Sequence, residues 1–433
     1  MKSLLKALSF LSISSVILLS GCSSPSSSPS VEPEQLESLT INGEPVTLTA
    51  VLADTNLDDD FIATLQELLG QKHPNITLEY MKPGKGTTLN ELIAAGNVPD
   101  IVITYNGAVA SYKEQHLLHD MNPLLKRHQF DLSRFEPYVL EDAMIASENG
   151  ELYGIPINMN YHALYYNKDI FDKFGVPYPT DGMQWDQVYQ LARQVTRIDS
   201  GTQYRGFDPG SEVIWISQPL GVAAVDYQTE RATVNNDQWK KVFELVKSFY
   251  AIPGNEPKGG AKDAFMKDKT LAMMANLSIV NELEAAEKDG LNWDVVQYPS
   301  YPEKPDTYGN ASVIMMLVTE QSRYKGQAMQ VIAVAASDEM QLKSAMQGRV
   351  TPMKDPKFKE AFGQGREVLK NKNTAGIFKS KPVKYPIASK YRGRAEEIVR
   401  TKFRDYASGK TDVNTALSQA EEEINKMIES STK

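Results

Sequence analysis

Cysteine is almost absent: Cys22 is the single one in 433 residues. That excludes an intrachain disulfide and any site built from several thiolates. Histidine is scarce as well, at five residues. None of His73, His116, His119, His128 and His162 falls in a His-Glu-x-x-His motif. His116 and His119 can share a helix face, but no third ligand is placed beside them. No Gly-x-Ser-x-Gly turn is present. Pro83 to Thr88 lacks the Ser or Thr and the earlier glycine of a phosphate loop. Asp54, Asn56 and Asp58 open like a calcium loop, but Asp59 and Leu65 occupy its glycine and closing-glutamate positions. Carboxylates are abundant but form no pattern of an acid–base pair. Basic charge is in deficit: 46 Lys and Arg face 55 Asp and Glu, a formal net charge of −9. An acidic chain is a poor match for nucleic acid, whose phosphates need a basic patch. The sequence therefore implies no enzyme, no metal and no cofactor.

What is present begins with a leader. Lys2 and Lys6 precede an apolar run from Ala7 to Leu19. At ~1.5 Å per residue this run reaches only about 20 Å, short of a ~30 Å bilayer core. It ends in Leu19-Ser20-Gly21-Cys22, which resembles the lipobox of bacterial lipoproteins. That resemblance implies cleavage after residue 21, a lipid on Cys22 and residence on the extracellular face of the cell membrane. Losing Lys2 and Lys6 with the leader takes the net charge from −9 to −11. Ser23 to Ser30 is almost wholly Ser and Pro and cannot bury apolar surface, so 22–39 reads as a tether. No later apolar stretch approaches a membrane span. The length beyond the tether exceeds one ordinary core and predicts two domains.

The remaining pattern alternates strands and helices. Val46 to Ala53 and Ile76 to Tyr80 read as strands. Between them Phe61, Leu65, Leu68 and Leu69 recur at helical spacing, with Asp58, Asp59 and Asp60 at the helix start. Leu89, Leu92 and Ile93 suggest a short helix, and Ile101 to Thr104 a buried strand. Further on, helices are expected around Trp185 to Arg197 and Gln238 to Tyr250. Strands are expected at Leu271 to Ala275 and within Tyr308 to Thr319. Val413, Ala416, Leu417, Ala420, Ile424, Met427 and Ile428 mark one face of a C-terminal helix. The succession is that of an α/β layer fold.

Several segments together resemble extracellular solute-binding proteins of the maltose-binding type, family 1. The fullest match is Glu151-Leu152-Tyr153-Gly154-Ile155-Pro156 followed by Leu164-Tyr165-Tyr166-Asn167-Lys168-Asp169, then Phe171, Phe174, Gly175, Pro177 and Trp185. Val98-Pro99-Asp100-Ile101-Val102, Ala264-Phe265-Met266 through Met274, Gln327 to Ser337 and Gly348 to Met353 follow in the family's order. The resemblance implies a type II periplasmic-binding-protein fold: two discontinuous α/β lobes, a hinge and a ligand cleft between them. The crossings are expected near 156–161, 299–308 and 352–355. Lobe 1 is then 40–157 with 300–353, and lobe 2 is 158–299 with 354–433. The chain is expected to be a monomer that serves an ABC importer, captures an extracellular carbohydrate and delivers it to the membrane permease.

Ligands of open α/β sheets bind beyond the carboxyl ends of strands. The loops there offer Asp54 and Thr55, Tyr105 and Asn106, then Asn158, Asn160 and Tyr161 in the first crossing. Asn276 follows a later strand, and Tyr308 and Asn310 precede another. Trp215 and Gln218 lie where the resemblance places a cleft-facing aromatic. Asp, Asn and Gln pair with hydroxyls that both donate and accept. Tyr and Trp offer flat apolar faces to sugar rings. This chemistry suits an oligosaccharide. A peptide or polyamine ligand, a sensor role on the same fold, and a polysaccharide-degrading enzyme are the alternatives.

Overall fold

The computed structural model describes residues 43–431, apart from 211, 259 and 388. The leader, Cys22 and the tether lie outside the described residues. Two five-stranded sheets organise the chain. The first runs in the order Ile76–Met81, Val46–Leu52, Ile101–Tyr105, Val313–Val318, Ile155–Met159. Its first three strands are parallel, with Val46 opposite Ile76 and Ala50 opposite Ile101. Val313–Val318 enters antiparallel to both of its neighbours. The second sheet runs Trp293–Gln297, His162–Asn167, Leu271–Leu277, Thr202–Asp208, Arg197–Asp199. The central strands Val313–Val318 and His162–Asn167 are buried at every position. Helices cover both faces of such sheets, so Val313–Val318 reads as an unbroken apolar run rather than as alternation.

The helices follow the same logic. Asp59–Lys72 buries Phe61, Ile62, Leu65, Leu68 and Leu69. Asp58 makes no side-chain cap there; its carboxylate and that of Asp60 are both taken by Arg349. Asn167 caps Lys168–Phe174, its Oδ1 accepting from the Asp169 amide at 3.0 Å, and Gly175 closes that helix in the left-handed conformation. Trp185–Val195 lies on Thr202–Asp208 so closely that a Cβ on Gly206 would drive into the Ala192 main chain. That helix stops at Val195, and Arg197 opens an edge strand instead of extending the helix. The expected strand from Tyr308 to Thr319 divides into a two-residue strand, Thr307–Tyr308, and Val313–Val318, with Gly309 and Asn310 between them.

The architecture is a two-lobed α/β fold. The chain passes from the first sheet to the second through Asn160 and Tyr161 alone, and returns between Gln297 and Val313. Lys325–Ala335 and Asp338–Met346 pack on the first body, against Asp59–Lys72. Farther on, Arg392–Ala407 and Val413–Ser431 pack on the second body with Asp237–Tyr250. So few connecting segments leave the two bodies joined along one side and open along the other.

Candidate functional site

A cavity of about 840 Å³ lies between the two sheets. Ten of the twelve residues expected from sequence line it: Asp54, Thr55, Tyr105, Asn158, Asn160, Tyr161, Trp215, Gln218, Asn276 and Asn310. Asp54 follows the first strand with φ +55°, a left-handed conformation that Asp tolerates better than most residues. Its carboxylate accepts a hydrogen bond from the Tyr112 hydroxyl. Tyr105 ends the third strand, half-buried, and its hydroxyl is pushed up to about 12, chiefly by burial and then by its neighbour Tyr385.

The asparagines are partly committed. Asn158 Oδ1 accepts from the Met159 amide at 2.7 Å and Asn276 Oδ1 from the Leu277 amide at 2.8 Å. Asn160 Oδ1 accepts from Ser278 Oγ at 3.2 Å, tying the first crossing to the far wall. Gln218 Oε1 is buried and has no partner. Tyr161 is buried with its ring edge-on to Phe362 at 6.0 Å, so it supports the cavity wall from behind.

Two expected residues do not reach the cavity. Asn106 is sealed in the first body: its Nδ2 donates to the Asp142 carbonyl at 3.3 Å and its Oδ1 accepts from the Val313 amide at 3.2 Å. It braces the turn after the third strand. Tyr308 is also buried, and its ring stacks on His162 at 5.4 Å and 25°. Sequence periodicity places both at strand ends, but the backbone turns their side chains inward.

His162, next to the crossing residues Asn160 and Tyr161 but not among the expected site residues, also lines the cavity. Trp215 and Tyr298 meet its ring edge-on at 5.9 Å and 5.4 Å. Burial drives its imidazole down to about 3, so it is neutral at physiological pH.

Four cations were missed altogether: Lys262, Arg349, Arg366 and Arg392. They come from separate stretches of chain; Arg349 falls within the Gly348–Met353 match, which does not single it out, and no local motif marks the other three. Each has a carboxylate: Lys262 with Glu282 at 2.8 Å, Arg349 with Asp58 at 2.8 Å, Arg366 with Glu284 at 2.7 Å, Arg392 with Glu396 at 2.7 Å. Among the described residues Asp54 is the cavity carboxylate left without a cation. The cleft is thus lined by amides, hydroxyls, the half-buried indole of Trp215 and paired ions, beside the unpaired Asp54. Among the described residues no group of three or more His, Cys, Asp or Glu is arranged to hold a metal, and no helix is long and apolar enough to cross a membrane.

The family model of the bacterial extracellular solute-binding proteins matches residues 64–359, which span parts of both bodies and the two crossings between their sheets. The chain belongs to that family. Solved structures with this fold include an ABC substrate-binding protein of Listeria monocytogenes in complex with cycloalternan. It superposes with a TM-score of 0.74 at 17% identity, over 89% of this chain and 99% of that one. A sugar transporter protein of Rhizobium etli in an open conformation gives 0.72 at 19% identity, over 88% and 99%. These place the fold as the type II binding-protein architecture. Among sequence relatives, the sn-glycerol-3-phosphate-binding periplasmic protein of Brucella melitensis is 23% identical over 320 residues, 68% of this chain and 71% of its own.

Proposed function

We propose that this solute-binding protein captures a neutral oligosaccharide between its lobes, without converting it, and hands it to the permease of an ABC importer. The observation that carries the reading is the charge state of the cleft. Every cavity cation is matched by a carboxylate, and Asp54 adds an unmatched negative charge. A phosphorylated or carboxylated solute would meet no free cation there, whereas a carboxylate accepts well from sugar hydroxyls. Trp215 supplies a flat face, and the Asn and Gln side chains supply mixed donors and acceptors. At about 840 Å³ the cavity stands in the upper part of the range for small-molecule sites, roughly 300–1,000 Å³, with room for more than one sugar ring. Asp54, Thr55, Tyr105, Asn158, Asn160, Trp215, Gln218, Asn276 and Asn310 are the proposed ligand contacts.

The test is a thermal-shift screen. Cycloalternan, maltotriose, mannotriose and arabinotriose are set against sn-glycerol 3-phosphate, spermidine and a tripeptide. A ligand present at 100 times its Kd stabilises by about 2.7 kcal/mol, so the right class is readily seen. Stabilisation by at least one glycan is expected. Stabilisation by glycerol phosphate, spermidine or the peptide with all glycans silent overturns the reading.

We further propose that the chain works as a monomer tethered outside the cell membrane through a lipid on Cys22. Replacing Cys22 by Ala should release it from the membrane fraction; a chain that stays membrane-bound after this exchange refutes the anchor.

A further inference from the structure

The segment after Lys381 leaves the second body, touches the first and returns to the second at Arg392. Lys381 and Pro382 pair with Thr307 and Tyr308, and the Val383 amide donates to the Tyr308 carbonyl at 3.3 Å. Two residues on, the Tyr385 amide donates to Asp142 Oδ1 at 3.0 Å. Asp142 stands on the helix Pro137–Ala143, which packs on the first sheet. The Tyr385 ring reaches Gly107, where a Cβ would press into both the Tyr385 hydroxyl and the Tyr105 ring. From the other side Arg392 Nη1 donates to the Tyr385 hydroxyl at 3.0 Å, and Arg392 opens the helix Arg392–Ala407 on the second body. Tyr385 is therefore gripped by the first body at its main chain and held by the second body at its hydroxyl. Both Tyr385 and Arg392 line the cavity.

We infer that Asp142 is a positioning residue for ligand binding: it fixes Tyr385 as part of the first lobe's cleft wall, so that the Tyr385–Arg392 hydrogen bond forms across the lobes and closes one end of the ligand site. The inference rests on the cleft being the ligand site. Asp142 itself is buried and does not line the cavity, so it acts only through Tyr385. A main-chain amide gripped by a carboxylate makes a stronger bond than one gripped by a neutral acceptor. The clamp therefore depends on the charge of Asp142.

The groups facing that carboxylate set its titration. Burial raises it most, to about 6, the Tyr385 amide and Lys384 pull it down, and Glu141 pushes it up. Tyr138 on the same helix and Tyr308 on the short strand Thr307–Tyr308 also feel its charge. The two strands beneath the helix, Ile155–Met159 and Val313–Val318, carry no ionisable side chain. As pH falls through about 6 the carboxylate takes a proton and the clamp weakens.

The experiment uses the full chain, its Asp142→Asn and Asp142→Ala variants, and two readouts between pH 8 and pH 5. The first is amide-exchange protection at Tyr385, corrected for intrinsic exchange and compared with the Ile155–Met159 amides. The second is affinity for whichever of cycloalternan, maltotriose, mannotriose or arabinotriose binds. In the wild type, Tyr385 protection and glycan affinity should both fall below about pH 6, while the strand amides hold. Asn keeps an acceptor but cannot ionise, so both readouts should become flat with pH. Ala removes the acceptor and should lose Tyr385 protection at every pH, with about tenfold weaker glycan binding. An Asp142→Asn chain that keeps the wild-type pH response, or an Asp142→Ala chain that keeps Tyr385 protected, overturns the inference. If no glycan binds, the sugar reading fails, and the exchange readout alone still decides the clamp.

Discussion

Of the four tryptophans, Trp185, Trp239 and Trp293 are sealed in the core, while Trp215 is half-buried on the cleft wall. Its indole edge rests on His162, whose neutral imidazole is boxed by Tyr298 and Tyr308. The platform is thus fixed before any ligand arrives, and little side-chain entropy is lost on stacking. Stacking between aromatic rings contributes about 0.5–1.5 kcal/mol beyond area burial, and a sugar's apolar face on the indole is the analogous contact. Adding the lost area, Trp215→Ala should weaken glycan binding roughly tenfold or more, with little change in melting temperature. Because the other three indoles are sealed away, a glycan-induced change in tryptophan emission should vanish in the same variant. A variant whose emission still responds to glycan would place the ligand elsewhere. Asp54 could be singled out from its place after a strand. Arg392 and Tyr385 could not, because nothing within a few residues of either marks a site; only the folded chain brings them beside Tyr105.

At the scale of elements, much of the fold is legible in the sequence, and the reason is burial. The helix Val413–Ser431 buries Val413, Ala416, Leu417, Ala420, Ile424, Met427 and Ile428, the seven positions its periodicity picks out. A 3.6-residue period survives because one face of that helix meets the second body while the other meets water. Val313–Val318 is legible as a short apolar run inside the expected segment 308–319, whereas His162–Asn167, with a polar residue at each end, is not expected as a strand from sequence. Ends are less so. Tyr105 lines the cleft and its neighbour Asn106 is locked into the first body, although both follow the same strand. Consecutive side chains in extended backbone point to opposite faces, and the 3₁₀ turn at Asn106–Ala108 then rotates the next ones inward. Sequence alone names the loop; the turn geometry chooses the residue. The capping carboxylates show the same limit. Asp58 and Asp60 suit a helix N-terminus, yet Arg349, nearly 300 residues away, claims them.

For the whole molecule, the question is what holds the lobes at a given angle. The sheets are joined through segments along one side, and the half-buried Asn160–Ser278 and Tyr385–Arg392 hydrogen bonds brace that frame. Away from the crossings, Asn281 on the second body donates to Asp58 on the first in an exposed contact. An exposed polar contact of this kind contributes little net free energy, because water replaces it on opening. On the proposed capture between the lobes, a ligand touching both walls would shift the population toward closure. The proposed contacts lie on both walls: Asp54, Thr55 and Tyr105 extend from the first sheet, Trp215 and Asn276 from the second body. A glycan that binds should then lower the radius of gyration measured by solution scattering, and a solute that fails to bind should leave it unchanged. Should calorimetry show saturating glycan bound while the scattering curve stays that of the free protein, the ligand is held by one lobe only, and capture by closure is wrong.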